Sequence, residues 1–434
     1  MILSLVILLP AIVDCADYQK PNIILVLADD IGYNDVSWNN NLAKTPNMQK
    51  LAEEGVILEN AYSMPVCTPS RAALMTGIYP FKLGLQRGFG KQTPEGIPVN
   101  TTLLPQILRE QGYTTHGLGK WHLGFCSSLY TPTERGFDSY FGFFVGDDDD
   151  NIDAGPKNSN DNKEKKVKRH NERNKLKAKR KKKRKKEKLR YRYSRMPRML
   201  KEELKYQTEL YTKKAAKIIE SSKSDKPFFI YLSLFTKSYP RIVRKHDFRG
   251  TLKNAHSEDH QQKISDLDNA FELLVNTLKR TGHYENTIMM FLSDNGGRTV
   301  PNQGRRTNPN YPFRGAKGTL YEGGTKVPGF VHSPLLKNMT GRKYEGLFHL
   351  VDVLPTLTNS REDNMIKSSI DGINQWSAIS GASPAPRHVM VYNIDDDLVP
   401  TVLKGPHFTP KFQIVIREDN YKLIWGQSRM MHRY

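Results

Sequence analysis

Three short stretches of this chain are apolar almost from end to end: Asn22–Ala28 (NIILVLA), Pro227–Leu234 (PFFIYLSL) and Thr287–Ser293 (TIMMFLS). None alternates apolar with polar residues, so none fits a strand with one wet face. Each is short and rich in β-branched or aromatic residues, which disfavours a core helix. A strand covered on both faces satisfies all three, and such strands belong to parallel sheets. The sequence between them supplies the covers. Pro46–Glu54 and Thr102–Gln111 read as helices, and Glu258–Arg280 repeats apolar residues at helical spacing (Ile264, Leu267, Ala270, Leu273, Leu274, Leu278). Val56–Glu59 and Thr114–Leu118 read as shorter strands. This alternation predicts an α/β fold, a large mostly parallel sheet flanked by helices. Short strands at His388–Tyr392, Phe412–Ile416 and Tyr421–Trp425 predict a small, abbreviated C-terminal antiparallel sheet.

In such a fold, ligands gather beyond the carboxyl ends of the strands. Two of the predicted strands end there in oxygen-bearing pairs, Asp29-Asp30 and Asp294-Asn295. Alone, Asp-Asp after a strand is the usual material of a turn or helix cap. Set beside Ser293-Asp294-Asn295-Gly296-Gly297 after a second strand, it reads as half of a cation site. Donors that are all oxygen suit a hard cation, Ca²⁺ or Mg²⁺, over zinc.

The formal net charge of +21 suggests a polyanion-binding protein until its distribution is considered. Residues 151–200 hold 22 Lys+Arg against 5 Asp+Glu, which leaves 44 against 40 in the rest of the chain. The globular part is therefore near neutral, and nucleic-acid binding is not implied. The stretch 147–200 opens on Asp147–Asp150, runs through Lys181–Lys186, and shows no apolar periodicity until about Leu204. It predicts a disordered basic insertion. Two readings stand for it: a solvated loop, or a segment that binds anionic polysaccharide through residues 160–190.

The apolar run Met1–Val13, followed by Asp14-Cys15-Ala16, predicts a secretory signal over residues 1–16. A catalytic domain over 17–386 and a short C-terminal subdomain over 387–434 follow. No later run is long and apolar enough to span a bilayer, so the expected destination is the secretory pathway, ending in the lysosome or outside the cell. The sequons at Asn100 and Asn338 fit that route. Loss of Cys15 would leave only Cys67 and Cys126. A disulfide between them is the plain structural reading, but the residues around Cys67 argue for another fate.

Those residues run Cys67-Thr68-Pro69-Ser70-Arg71-Ala72-Ala73-Leu74-Met75-Thr76-Gly77. The helix-compatible stretch after Ser70 sets the cysteine just before a helix N-terminus, where the macrodipole favours an anion. Arg71 adds a permanent positive charge. Gly119-Lys120-Trp121-His122-Leu123-Gly124 follows a predicted strand, and Lys317 lies in Arg314–Gly324 (RGAKGTLYEGG). By residue type alone, Lys120, His122 and Lys317 would pass as surface groups. As sets, the cysteine signature and the G-K-W-H-L-G element resemble the sulfatase family. The resemblance spans about Pro21–Pro355 outside the insertion. It leans toward the arylsulfatase B branch with its arylsulfatase I/J-like relatives, on ADDIGYNDV (28–36), GYTTH (112–116), RGFDSYFG (135–142) and HLVDVLPTL (349–357).

The resemblance implies an alkaline-phosphatase-like sandwich and a sulfuric ester hydrolase. It implies that a formylglycine-generating enzyme of the ER oxidises Cys67 to formylglycine, whose hydrate attacks sulfur. Asp29, Asp30, Asp294 and Asn295, with the modified Cys67, would hold one Ca²⁺. Cys67, Arg71, Lys120, His122 and Lys317 would form the catalytic set. Of these, Lys120 would hold diol and sulfate, His122 would take a diol proton, and Lys317 would contact the sulfate and steady the departing alkoxide. The implied substrate is sulfated carbohydrate such as N-acetylgalactosamine 4-sulfate in glycosaminoglycans. The chain departs from the family after Pro227–Leu234, where relatives carry a sulfate-contacting histidine and this sequence carries Ser238. A serine is a poor general acid near neutrality, and such a loss typically costs on the order of 10²–10⁴ in rate. Lys237 and His246 are the nearby candidates to replace it. A second reading follows, a catalytically impaired glycosaminoglycan-binding relative. A third, a two-zinc phosphatase or phosphodiesterase on the same scaffold, is disfavoured by Cys67 and the all-oxygen donors.

Overall fold

The computed structural model describes residues 20–90, 93–145, 207–235, 252–299, 308–358, 370–397 and 411–426. At its centre run the three apolar strands. β1 (Asn22–Asp29), β5 (Phe228–Phe235) and β6 (Thr287–Ser293) are buried at every position. The sheet order is β4-β3-β5-β1-β6-β7-β2-β8, with β2 at Val56–Tyr62, β3 at Thr114–Lys120, β4 at Ser139–Phe143, β7 at Gly329–His332 and β8 at Arg342–His349. β7 runs antiparallel to both of its neighbours, and the other pairings are parallel.

Side chains alternate across a strand, and the two faces of β1 divide between two cores. Ile23, Leu25 and Leu27 pack with α2 (Cys67–Thr76) and α3 (Leu104–Glu110); Ile24, Val26 and Ala28 pack with α1 (Pro46–Glu54), α4 (Gln207–Ser221) and α5 (Leu252–Arg280). Burying each such aliphatic side chain contributes about 1.5–3 kcal/mol. This explains why the run carries no polar residue between Asn22 and Asp29, where the strand leaves the core.

The parallel register fixes the height of the site. Gly119 pairs with Ser233, Leu27 also pairs with Ser233, and Ala28 pairs with Ser293. Asp29, Lys120 and Asp294 therefore emerge at one edge and one level. A separate antiparallel sheet, ordered β11-β10-β9, contains β9 (Val389–Asp397), β10 (Lys411–Glu418) and β11 (Tyr421–Gly426). The predicted strands and helices all appear; α5 starts earlier than the periodicity indicated. β4, β7 and β8 were not among the predicted elements. The signal at 1–16, all of the 147–200 segment and Ser238 with its neighbours Lys237 and His246 lie outside the described residues.

Candidate active site

Four elements deliver the site. β1 ends in Asp29, and the chain turns at Asp30 with φ +68°; β6 runs into Asp294 and Asn295; β3 ends in Lys120, with His122 at φ +60°; α2 begins at Cys67. All of these side chains are buried. Ligand atoms of Asp29, Cys67 and Asp294 lie within 4.8 Å of one another. Cys67 is the first residue of its helix, so the helix begins slightly earlier than the sequence around it indicated. Cys67 and Cys126 are both free thiols, so the disulfide reading is overturned.

The carboxylates are held from several sides. Arg71, fully buried, donates to Asp294 Oδ2 from Nε at 3.2 Å and from Nη2 at 2.7 Å. Its Nη1 donates to the Lys120 carbonyl at 3.0 Å, Tyr231 Oη at 3.1 Å and Ser233 Oγ at 2.6 Å. Arg71 thus locks Asp294 and the end of β3 in place. Lys120 Nζ donates to both Asp29 oxygens at 3.1 and 3.0 Å. Asp30 accepts from Lys317 Nζ at 2.5 Å, Arg298 Nε at 2.9 Å and Asn295 Nδ2 at 2.7 Å. Ser293 Oγ accepts the Ile31 N–H at 3.1 Å and donates to the Asn295 carbonyl at 3.0 Å, joining the two acidic loops.

Burial alone would raise the Asp29 carboxyl, but Lys120, Lys317 and Arg71 outweigh it and hold it well below the usual carboxylate range. Asp30 is held down in the same way, chiefly by Lys317 against burial. Burial and the Asp29 charge push Asp294 upward, against the pull of Arg71. Lys120 and Lys317 stay cationic: burial opposes their charge, and the neighbouring carboxylates prevail. His122 is neutral, pushed down to about 3 by burial and then by Lys120. Its Nε2 donates to the Phe89 carbonyl at 2.8 Å, which leaves Nδ1 as a buried, unpartnered acceptor.

Three crowded carboxylates repel one another, and a bound cation relieves that repulsion. The donor set fits a hard cation. Asn295 Oδ1 is fully buried with no hydrogen-bond partner, although its Nδ2 is bonded to Asp30 and Gly296. A buried carbonyl oxygen without a donor carries a desolvation cost of about 1–3 kcal/mol unless something electropositive faces it. Oxygen from Asp29, Asp30, Asp294 and Asn295, with an atom of residue 67 beside them, matches calcium chemistry.

Thus Asp29, Asp30, Cys67, Arg71, Lys120, His122, Asp294, Asn295 and Lys317 come together at one edge of the sheet. Asn100 lies apart, exposed in a turn; Asn338 lies in the 3-10 segment Pro334–Met339. Sequence reasoning missed Arg298, the Phe89 carbonyl that sets the His122 tautomer, and Asn310, which clamps Gly297 through both of its amide atoms at 2.7 and 2.9 Å. A backbone carbonyl has no side-chain signature, and Arg298 and Asn310 stand outside any motif read from the sequence.

Comparison with known proteins agrees with this geometry. The family model described as Sulfatase matches residues 21–359. Arylsulfatase J of Mus musculus is 34% identical over 422 residues, covering 95% of this chain and 65% of that protein. N-acetylgalactosamine-6-sulfatase of Mus musculus is 29% identical over 401 residues, covering 89% of this chain and 67% of that protein. The chain therefore spans about two thirds of the length of these relatives. Among solved structures, Ps i-CgsB in complex with k-i-k-neocarrahexaose superposes with a TM-score of 0.65 at 25% identity, covering 94% of this chain and 84% of that one. The match across most of its length shows that this chain belongs to the sulfatase family.

Proposed function

We propose that the protein hydrolyses sulfate monoesters on carbohydrate, with residue 67 as the source of the nucleophile and one Ca²⁺ in the site. The observation that carries this reading is Cys67, a buried free thiol at the start of a ten-residue helix, with its Sγ within 4.8 Å of carboxylate oxygens of Asp29 and Asp294. A thiol gains little from that company; an oxygen at the same place would share a cation with those carboxylates. Conversion of Cys67 to formylglycine by a formylglycine-generating enzyme would supply that oxygen through the aldehyde's hydrate. The Ca²⁺, when bound, would offset negative charge and polarise the sulfate.

The chain's own residues do the rest. Asp29, Asp30, Asp294 and Asn295 would hold the cation, and Arg71 keeps Asp294 aimed. Lys120 and Lys317 are held cationic and offer charge to the sulfate oxygens, Lys317 also to the departing alkoxide. His122, neutral with Nδ1 open, accepts a proton from the group at residue 67. The named activity of the second relative, an N-acetylgalactosamine-6-sulfatase, supports sulfated N-acetylgalactosamine as the first substrate to try. The apolar N-terminus and the exposed sequon at Asn100 support a secretory route to the lysosome or cell exterior. No helix among the described residues is long and apolar enough to cross a membrane.

Peptide mass spectrometry across Cys67 tests the reading, on protein expressed through a secretory pathway that contains the converting enzyme. The expected peptide has lost its sulfur and carries an aldehyde. A second reading, a non-catalytic glycosaminoglycan-binding relative, is favoured by Ser238 at the position where relatives carry histidine. An unconverted Cys67 thiol in that experiment would select it. Two zinc ions per chain in elemental analysis would overturn both.

A further inference from the structure

A cavity of about 360 Å³ adjoins the residue that precedes Cys67 and is lined by Val66, Arg298, Thr299, Arg314, Lys317 and Tyr321 among others. Among the described residues that line it, three are cations and none is a carboxylate. Two of these cations, Lys317 and Arg298, also reach Asp30 at 2.5 and 2.9 Å. The backbone ties this wall to the reaction centre on two sides. Gly318 N–H donates to the Pro65 carbonyl at 2.7 Å, at the entry to the Cys67 helix. Lys317 N–H donates to the Gly297 carbonyl at 3.2 Å, at the exit from Asp294-Asn295. Arg314, though exposed, lies over Tyr321, with the guanidinium carbon 4.2 Å from the ring centroid.

One sulfate can be neutralised by Lys120, Lys317 and a cation at the acidic pair. Arg314 exceeds that need, and Arg298, whose Nε holds Asp30 at 2.9 Å, brings a second guanidinium to the same wall. Both line the cavity that Val66, next to Cys67, also lines, and the Arg298 side chain is 45% exposed. A guanidinium presents a planar fork that matches a carboxylate or a sulfate. We propose that this cavity is a subsite for a second anionic group of the substrate, a carboxylate or a second sulfate, held beside the sulfate that is cleaved. The subsite selects doubly anionic sugars over singly sulfated neutral ones. It rests on the reading of Cys67 as the centre of a sulfate-ester hydrolase.

The test compares kcat/KM for three substrates: N-acetylgalactosamine 4-sulfate, its 4,6-disulfate, and the uronate–N-acetylgalactosamine 4-sulfate disaccharide. The expected result is a preference of about tenfold or more for a doubly anionic substrate, the scale of one charge-assisted pair. Arg314→Gln and Arg298→Gln should each reduce that preference ratio about tenfold, and raised salt should reduce it as well. The favoured partner identifies the second anion as sulfate or carboxylate. Equal kcat/KM for all three substrates, or variants that lower all three alike, would overturn the subsite. A second arm titrates the Cys67→Ala protein with the same three sugars by calorimetry. Tighter binding of a doubly anionic sugar, with no hydrolysis by the unmutated protein, keeps the subsite and sinks the hydrolase. Equal binding of all three sinks the subsite.

Discussion

At the scale of single residues, the orphaned carbonyl of Asn295 gives the most direct prediction. In the metal-free form its Oδ1 is buried and unpartnered, so removing it costs the fold little beyond its Nδ2 bonds. In the calcium-bound form proposed above it would be a ligand. Asn295→Ala should weaken calcium binding on the order of 10–100-fold, the loss typical of one oriented group in a metal site. Thermal midpoints with calcium and with a chelator separate the two effects: the variant's deficit should be larger in calcium, and an equal deficit in both would refute the assignment. His349 gives a second prediction, well away from the acidic pair. Its Nδ1 accepts the Val351 N–H at 3.2 Å, and burial, then Arg387, push it down to about 3. The unfolded histidine titrates near 6.5. Between those values the unfolded chain binds a proton that the folded chain does not, so stability is full above about pH 6.5 and is lost as pH falls toward 3. The slope from this residue is at most about 1.4 kcal/mol per pH unit. His349→Gln should flatten the fall in denaturant midpoint from about pH 7 to about pH 5; parallel slopes for variant and parent would count against it.

At the scale of elements, the small sheet is held to the large one through Glu322, at the end of the segment that carries Lys317. Glu322 accepts from Tyr62 Oη of β2 at 2.8 Å, Tyr392 Oη of β9 at 2.9 Å and Lys422 Nζ of β11 at 2.8 Å. Glu322→Ala would leave two tyrosine hydroxyls without this acceptor and Lys422 with its bond to the Leu320 carbonyl but no carboxylate, at a cost of about 1–3 kcal/mol. The loss should appear first as faster proteolysis within β9–β11, and an unchanged cleavage rate would show that the sheets are joined by other means. None of this hub was legible in the sequence, because its members lie in four distant segments. The strands divide in the same way. β6 was read at both of its ends, since a strand covered on two faces has nothing but apolar residues to show. β8 (RKYEGLFH) is exposed or half-buried over much of its first half, β4 is largely exposed, and β7 has only four residues. Edge and short strands carry too little apolar pattern to be told from loops. Gly119 shows the reverse case, legible as part of a motif before its reason was visible. It adopts φ +94°, and a Cβ there would lie 1.9 Å from the Ser233 carbonyl oxygen. Only glycine lets β3 lie against β5 at that point and carry Lys120 into the site.

At the scale of the whole molecule, charge is distributed in a way that the fold does not require. The segment 151–200 holds 22 Lys+Arg against 5 Asp+Glu, while the remainder, with 44 against 40, is close to balance. If the segment binds sulfated polysaccharide, nearly all of the chain's affinity for a polyanion should reside in it, because the rest has no comparable excess. Deleting residues 160–190 should then move elution from heparin to lower salt and flatten the dependence of binding on salt, since fewer counterions are released. The same deletion should raise KM for a polymeric substrate more than for a sulfated monosaccharide. A cluster that captures the chain acts by raising local substrate concentration, and a monosaccharide carries too little charge to be captured. Unchanged heparin elution would mean that these charges face water only. The arginine-lined cavity beside Cys67 would then be the candidate, among the described residues, for recognition beyond the sulfate of the proposed reaction.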